Sequence, residues 1–314
     1  DAVLSTAANA GVTYVDTLYG DPASRFWDCF APALEPYRSR MVVSAHITDP
    51  RFDLSRCESC YEALLERMGG YADVGLCPMV DDESALDTRV RTSLELLHRH
   101  KEGGRVRAVG ISSHTPQTAL KVTESGMVDV LMFGVNLVGH GSEPHQALYR
   151  ACAERGIGLV AMKPFFGGTL LFADGKPTGI TPLQCLDYTL SQPVSTTVPG
   201  VRNVQQLREI LRYLEASEDE RDYRPALANI HIHLAGTCVY CSHCLPCPQG
   251  IDVGNTIMMA NWARAGMTDD LRGWYAGLPA PASDCTECGQ CSARCPFSVD
   301  VIPWMREAAA TFDG

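Results

Sequence analysis

The sequence predicts an α/β fold: a parallel sheet with crossover helices, followed by a small cysteine-rich module. Two observations carry this. Apolar, β-rich runs alternate with helical stretches over about the first 200 residues, which builds a parallel sheet, either doubly wound or closed into a barrel. Near the C-terminus, eight of the 14 cysteines fall into two tight runs. A length of 314 residues suits one large domain with a small one attached.

The first residues, DAVLSTAANAG, read as a helix. Strands are expected at 12–16, 41–47, 73–80, 106–112, 128–136, 158–163 and 194–199, with helical patterns between them, for example at 84–101, 116–125 and 145–155. That makes seven strands, whereas a closed βα barrel takes eight. The remaining strand is expected ahead of Asp1, or something else fills its gap. The acidic stretch EASEDERDYRP marks a linker, so the expected division is a barrel at 1–216, a linker at 217–236 and a cysteine module at 237–314. Inside the module, NTIMMANWARAG and TDDLRGWYAGL read as short helices opened by Asn255 and Thr268. This points to a mainly α-helical module, with Trp262, Trp274 and Trp304 as its packing residues.

An apolar fraction of 46% supports a full core, and a net charge of −11 repels nucleic acid and anionic membranes. The longest apolar candidate, 128–138, carries Asp129 and Asn136 and falls short of the roughly 18 residues that a membrane span needs. The start lacks the basic and apolar regions of a signal peptide. Clustered thiols without an export signal fit a reducing cytoplasm and metal ligation better than disulfides.

The second run, CTECGQCSARCP, has the spacing C-x2-C-x2-C-x3-C-P of bacterial ferredoxins. Three of its thiolates wrap one iron–sulfur cube, and the cysteine before the proline reaches over to another. The first run, CVYCSHCLPCP, is one residue shorter before its last cysteine. The same logic assigns Cys238, Cys241, Cys244 and Cys295 to one [4Fe–4S] cluster, and Cys285, Cys288, Cys291 and Cys247 to a second. Zinc ribbons pair two C-x2-C knuckles a dozen or more residues apart, which three consecutive x2 spacings do not match.

In a parallel barrel, chemistry gathers at the C-terminal strand ends. Those ends offer Asp16, His46, Pro78 or Met79, Ser112, Asn136, Lys163 and Gly200. Each also has a plain role, since Asp, Ser and Asn cap loops and a lysine there pairs with a carboxylate.

These segments resemble the aldo/keto reductase family. NAGVTYVDTLYG resembles the end of its second strand, GRVRAVGISSHTPQTAL its fifth and RGIGLVAMKPFFGGTL its seventh. STTVPGVRNVQQLREIL resembles its eighth strand and the helix that meets the nucleotide phosphate. CVYCSHCLPCPQGIDV and CTECGQCSARCPFSVDVI resemble the branch that carries a C-terminal two-cluster module. The resemblance implies a (β/α)8 TIM barrel lacking its first strand here, joined to a dicluster ferredoxin domain. The family tetrad is Asp, Tyr, Lys and His. Asp16 fits the Asp, but Asp21 stands in the Tyr position, with Tyr19 nearby out of register. His46 replaces the Lys, and Pro78 stands where the His belongs. In the family's reaction the Tyr donates a proton as NADPH delivers hydride, so this chain is expected to be a poor NADPH aldehyde reductase. His46, which titrates near neutrality as a residue type, is the expected replacement acid beside Asp16 and Tyr19. For NADP(H), the resemblance implies Ser112 as a carboxamide contact, although Ser113 and Met132 replace the usual Asn and Gln. Gly200, Arg202, Asn203 and Gln206 form the turn into a helix N-terminus, an anion site on physical grounds, and Asn136 and Lys163 complete the candidate cofactor set.

Two smaller signals remain. Cys57 and Cys60 in RCESC form a C-x2-C at a helix start, either a redox pair or two small core residues one turn apart, the second being the simpler reading. His98 and His100 lie on a charged helix and are expected to be solvated. Together the signals predict an anaerobic iron–sulfur oxidoreductase with a small-molecule substrate at the barrel mouth and a redox protein as donor or acceptor. A higher oligomer or complex stays open. The rival readings are a non-catalytic electron-transfer or scaffold subunit and a lyase-type barrel with structural clusters.

Overall fold

A computed structural model of the chain describes residues 2–17, 22–47, 56–81, 86–173 and 176–314. Seven strands run in sequence order: β1 Tyr14–Thr17, β2 Val42–His46, β3 Ala72–Cys77, β4 Val106–Ser113, β5 Val130–Gly134, β6 Gly158–Met162 and β7 Thr196–Val198. Every neighbouring pair is parallel. The sheet curls until β1 approaches β7 without pairing to it, giving a nearly closed barrel with one strand position open.

The alternation of the strands explains the curl. Tyr14, Val74, Leu76, Ala108, Val130, Met132, Val160, Met162 and Val198 pack together inside the barrel. The alternate residues, such as Val43, Ala45, Val109, Ile111, Leu131 and Phe133, pack outward on Tyr61, Leu64, Leu94, Leu97 and Leu148 of the helices. All six residues of β3 are buried, as in a strand covered on both faces. Glycine is required at Gly110, where a Cβ would collide with the Val130 carbonyl, and a Cβ on Gly75 would press on the side-chain ends of Leu97 and Tyr61 at 2.8 Å.

The stretch 217–236 is more structured than a linker reading suggests. It holds helices Glu218–Arg221 and Arg224–His233, the first opened by a capping box between Ser217 and Glu220. Ala226, Ile230 and Leu234 are buried in a core that also includes Leu137, Val138, Phe165 and Leu170 of the barrel loops and Val239, Ile251, Ile257 and Phe297 of the module. Barrel and module therefore share apolar packing.

The module is helical, with segments at Val253–Ala265, Asp269–Ala276, Gln290–Arg294 and Val301–Ala308. Thr268 caps as expected, but the first helix is capped by Asp252, whose carboxylate accepts from the Asn255 N–H. Trp262 and Trp274 meet edge to face at 6.0 Å, and Trp304 lies under the Arg264 guanidinium, yet Trp262 stays 43% exposed. His100 is buried against Tyr61, and His98 bonds the Met127 carbonyl at 2.8 Å, so this pair is structural rather than solvated. Cys57 is buried at the start of its helix, and Cys60 is half-buried one turn on. Among the described residues, no helix is long and apolar enough to cross a membrane.

Candidate active site and cluster cavities

Parallel pairing sets Asp16 beside Ser44, and the two-residue period brings His46 to the same face. The Ser44 hydroxyl and His46 Nε2 both meet Asp16 Oδ1, the imidazole at 3.0 Å. The His46 side chain is 1% exposed and Asp16 is 19% exposed, so the carboxylate is the member that faces the mouth. His46 Nδ1 is buried with no hydrogen-bond partner among the described residues. Tyr14, one layer deeper, has its phenol pushed up to about 12 by burial, with the Asp16 charge adding to the effect. Tyr19 and Asp21 lie outside the described residues.

A second constellation was only partly visible in the sequence. His114 follows β4, Asp81 lies on the loop after β3 and Lys163 follows β6. His114 Nδ1 is 2.9 Å from Asp81 Oδ2, and Lys163 Nζ is 3.0 Å from His114 Nε2. Burial alone would raise the Asp81 pKa. The hydrogen bonds from His114 and Ser113 outweigh it and hold the carboxyl below its ordinary value. Lys163 keeps solvent access, yet partial desolvation by the groups around it lowers its pKa against the pull of Asp81. The residue adopts φ 54°, which turns the chain sharply at the end of β6. The strand-end rule found Lys163 but passed over Asp81 and His114, which lie a few residues into their loops.

The nucleotide candidates are mostly engaged with each other. Ser112 Oγ accepts the Met79 N–H at 3.0 Å. Asn136 donates to the Lys163 carbonyl at 3.0 Å and accepts from the Val138 N–H, which fixes the loop after β5. Asn203 caps the helix Val204–Leu211 through the Gln206 N–H, and Gln206 Oε1 accepts the Arg202 N–H at 2.8 Å. Gly200 has open space around it, and Arg202 is exposed.

The module contains two cavities. One, of about 350 Å³, is lined by Cys238, Cys241, Cys244 and Cys295 together with Val253, Ile257 and Phe297. The other, of about 400 Å³, is lined by Cys247, Cys285, Cys288 and Cys291. Four thiols around one space are the donor set that a [4Fe–4S] cluster requires. Burial pushes the Cys238 thiol up to about 12 and Cys241 to about 11, and it raises Cys244 as well. Such thiols ionise when they bind a metal centre rather than on their own.

The first cavity adjoins the barrel. The Ser142 hydroxyl donates to the Cys241 carbonyl at 3.1 Å, and His243 Nε2 meets the His140 carbonyl at 3.1 Å. Asn255 Nδ2 donates to Thr115 Oγ1 at 3.0 Å, one residue beyond His114. The loops after β4 and β5 thus form the seat of the first cysteine run.

A nearly closed parallel barrel with titratable groups at its carboxyl end, and with a cysteine module seated on the loops there, defines a barrel oxidoreductase. Residues 1–182 match the model of the aldo/keto reductase family, more than half of the chain, and residues 237–300 match that of the 4Fe-4S dicluster domain. The chain belongs to the aldo/keto reductase family. Among solved structures it is similar to the aldo-keto reductase AKR11C1 from Bacillus halodurans in its holo form, with TM-score 0.56 and 17% identity over 72% of this chain and 86% of that one. The apo form of that protein gives TM-score 0.54 at the same identity, over 72% and 85% of the two chains. A Pseudomonas aeruginosa protein described as an aldo-keto reductase gives 0.51 at 17% identity, over 68% and 80%. No curated protein matches the sequence.

Proposed function

We propose that the chain is an iron–sulfur oxidoreductase that exchanges electrons with a small organic substrate at the barrel mouth, and that it is not an NADPH-dependent aldehyde reductase. The observation that carries this reading is the seating of the first cysteine run on the loops after β4 and β5, through the Cys241–Ser142 and Asn255–Thr115 contacts. Bound clusters supply electrons one at a time. The cavity linings support crossed ligation, with Cys238, Cys241, Cys244 and Cys295 on the cluster next to the barrel and Cys247, Cys285, Cys288 and Cys291 on the outer one. Cys288 is exposed, which suits the outer set to a redox protein as donor or acceptor.

The protein's own groups orient the substrate and handle protons. Asp16 faces the mouth, and Ser44 and His46 fix its carboxylate from behind. A proton shared between Asp16 and His46 Nε2 can pass to a reduced substrate through Asp16, so that His46, the replacement acid expected from sequence, acts through the carboxylate as a positioning residue. The Asn203 and Gln206 side chains, tied into their own helix cap, weigh against a nucleotide.

The reading is tested by anaerobic assay of small organic acceptors with a low-potential donor or with NADPH. The low-potential donor should support turnover and NADPH should not. Asp16→Asn should slow the reaction on the order of 100-fold, the usual scale of an acid–base contribution. If activity survives both Asp16→Asn and His46→Ala with iron content intact, the mouth is not the site and the scaffold reading takes its place.

A further inference from the structure

Asp81, His114 and Lys163 form a linear chain at the barrel mouth that the proposed electron-transfer reading does not use. The geometry points to a nucleophilic triad in which Lys163 captures a small aldehyde or ketone as a Schiff base, with His114 as the base and Asp81 as its orienting carboxylate. This deepens the proposed function by naming its substrate class, and it rests on the mouth being the site.

Three observations carry it. A nucleophile within hydrogen-bond reach of a base, which is itself fixed by a third group, is the recurring arrangement of covalent catalysis. Here Lys163 Nζ lies 3.0 Å from His114 Nε2, and Asp81 Oδ2 lies 2.9 Å from His114 Nδ1. With Nδ1–H donated to Asp81, Nε2 presents a lone pair to the lysine. Second, the Asp81 end is anchored: its Oδ1 also accepts the His114 backbone N–H and the Ser113 hydroxyl, so the carboxylate that orients the imidazole is itself held in place. Third, Lys163 differs from a surface lysine. Its partner among the described residues is an imidazole nitrogen, whereas Lys101 is held by Asp129 at 2.6 Å. Desolvation in the mouth lowers the lysine pKa, which increases the fraction of free amine near neutral pH. Lys163 sits at the C-terminal end of a barrel strand, where this fold carries its chemistry.

The step balances without an added reagent. His114 takes one proton from the Lys163 ammonium, and the imidazolium is stabilised by Asp81. The free amine adds to the carbonyl carbon, forming a C–N bond as the C=O π pair moves to oxygen, and one proton then passes from nitrogen to that oxygen to give the neutral carbinolamine. His114 then returns its proton to the carbinolamine oxygen, the nitrogen lone pair expels the C–O bond, and water leaves. Overall, an ammonium and a carbonyl become an iminium and one water. An iminium carries positive charge at the reacting carbon and accepts electrons more readily than the parent carbonyl.

The sequence has four lysines, Lys101, Lys121, Lys163 and Lys176, so a trapping experiment contains its own controls. Cluster-loaded protein is incubated anaerobically at neutral pH with propanal or acetone and with cyanoborohydride, which reduces an iminium to a stable secondary amine. Peptide mass spectrometry then reads the alkylated positions. Lys163 should be labelled at least roughly 10-fold faster than the other three lysines, because His114 takes its proton at the point of addition. His114→Ala should slow labelling at Lys163 by roughly 10- to 100-fold with labelling elsewhere unchanged. Asp81→Asn, which preserves shape, provides the second variant and should slow it as well. Equal labelling of all four lysines overturns the inference, as does unchanged Lys163 labelling in both variants at wild-type iron content. The readout is covalent capture without electron transfer, so this inference and the electron-transfer reading can fail separately.

Discussion

His46 is buried behind the carboxylate it contacts, while His114 stands partly open at the mouth with its own carboxylate beneath it. The two histidine–aspartate pairs therefore differ in which member meets solvent. Asp81 is the more firmly held acid, and its depressed pKa has a defined consequence for stability. Because the folded-state value lies below the ordinary 3.8, the charged form favours the folded state, and this contribution is present above about pH 4. It is lost as pH falls through the lower folded value. Asp81→Asn should cost roughly 1–3 kcal/mol at neutral pH, the range for lost bonds to a charged group, and the cost should shrink under strongly acidic conditions. Urea denaturation of both proteins across pH checks this. At the residue scale, the positions of Asp16 and His46 towards the ends of their strands were legible in the sequence. Asp81 and His114 were missed because loop residues reach the mouth through backbone turns, such as the one at Met79 with φ 53°, that carry no periodic signal.

At the scale of elements, one helix joins the two functional halves. His145, on the helix Glu143–Arg155, packs edge to face on Phe133 and Tyr149 and bonds the Ser142 hydroxyl at 2.9 Å; that hydroxyl in turn donates to the Cys241 carbonyl. Burial, with His243 adding to it, lowers the His145 pKa from 6.5 to about 4. The unfolded state thus binds more protons between these values, so the contribution of neutral His145 is complete above about pH 6.5 and is lost as pH falls towards 4. The shift corresponds to roughly 3 kcal/mol over that window. His145→Phe keeps the ring packing but does not titrate, so its stability should fall less steeply between those pH values than that of the wild type, as measured by thermal unfolding. Nothing in the sequence marked this residue, because a lone histidine on the buried face of an amphipathic helix carries no pattern. The acidic stretch after 215 misled for a related reason. Its charges lie on the short helix Glu218–Arg221, which buries nothing, and the residues that pack on the barrel loops, Ala226 and Ile230, come one turn apart on the next helix.

For the whole molecule, the βα alternation and the cysteine spacing were the legible signals, since periodicity fixes a parallel sheet and ligand spacing fixes a cofactor class. The individual contacts that seat the module, such as Asn255–Thr115 between residues 140 positions apart, carry no pattern in the sequence. Anaerobically prepared protein should contain about eight iron and eight acid-labile sulfide per chain, from two four-cysteine sets. Crossed ligation predicts that Cys295→Ser perturbs the cluster of the first run and Cys247→Ser that of the second, which electron paramagnetic resonance of the reduced protein can distinguish.

The central claim is that electrons held in the module reach a small carbonyl compound at the mouth beside Asp16. It is tested most directly by reducing the protein with a low-potential donor, removing excess donor and mixing with small aldehydes and ketones in an anaerobic stopped-flow instrument. The account predicts that visible absorbance recovers as the clusters are reoxidised, and that recovery is at least about 100-fold slower in Asp16→Asn at equal iron content. Reoxidation at the same rate in both proteins, or no reoxidation by any carbonyl compound, would contradict it.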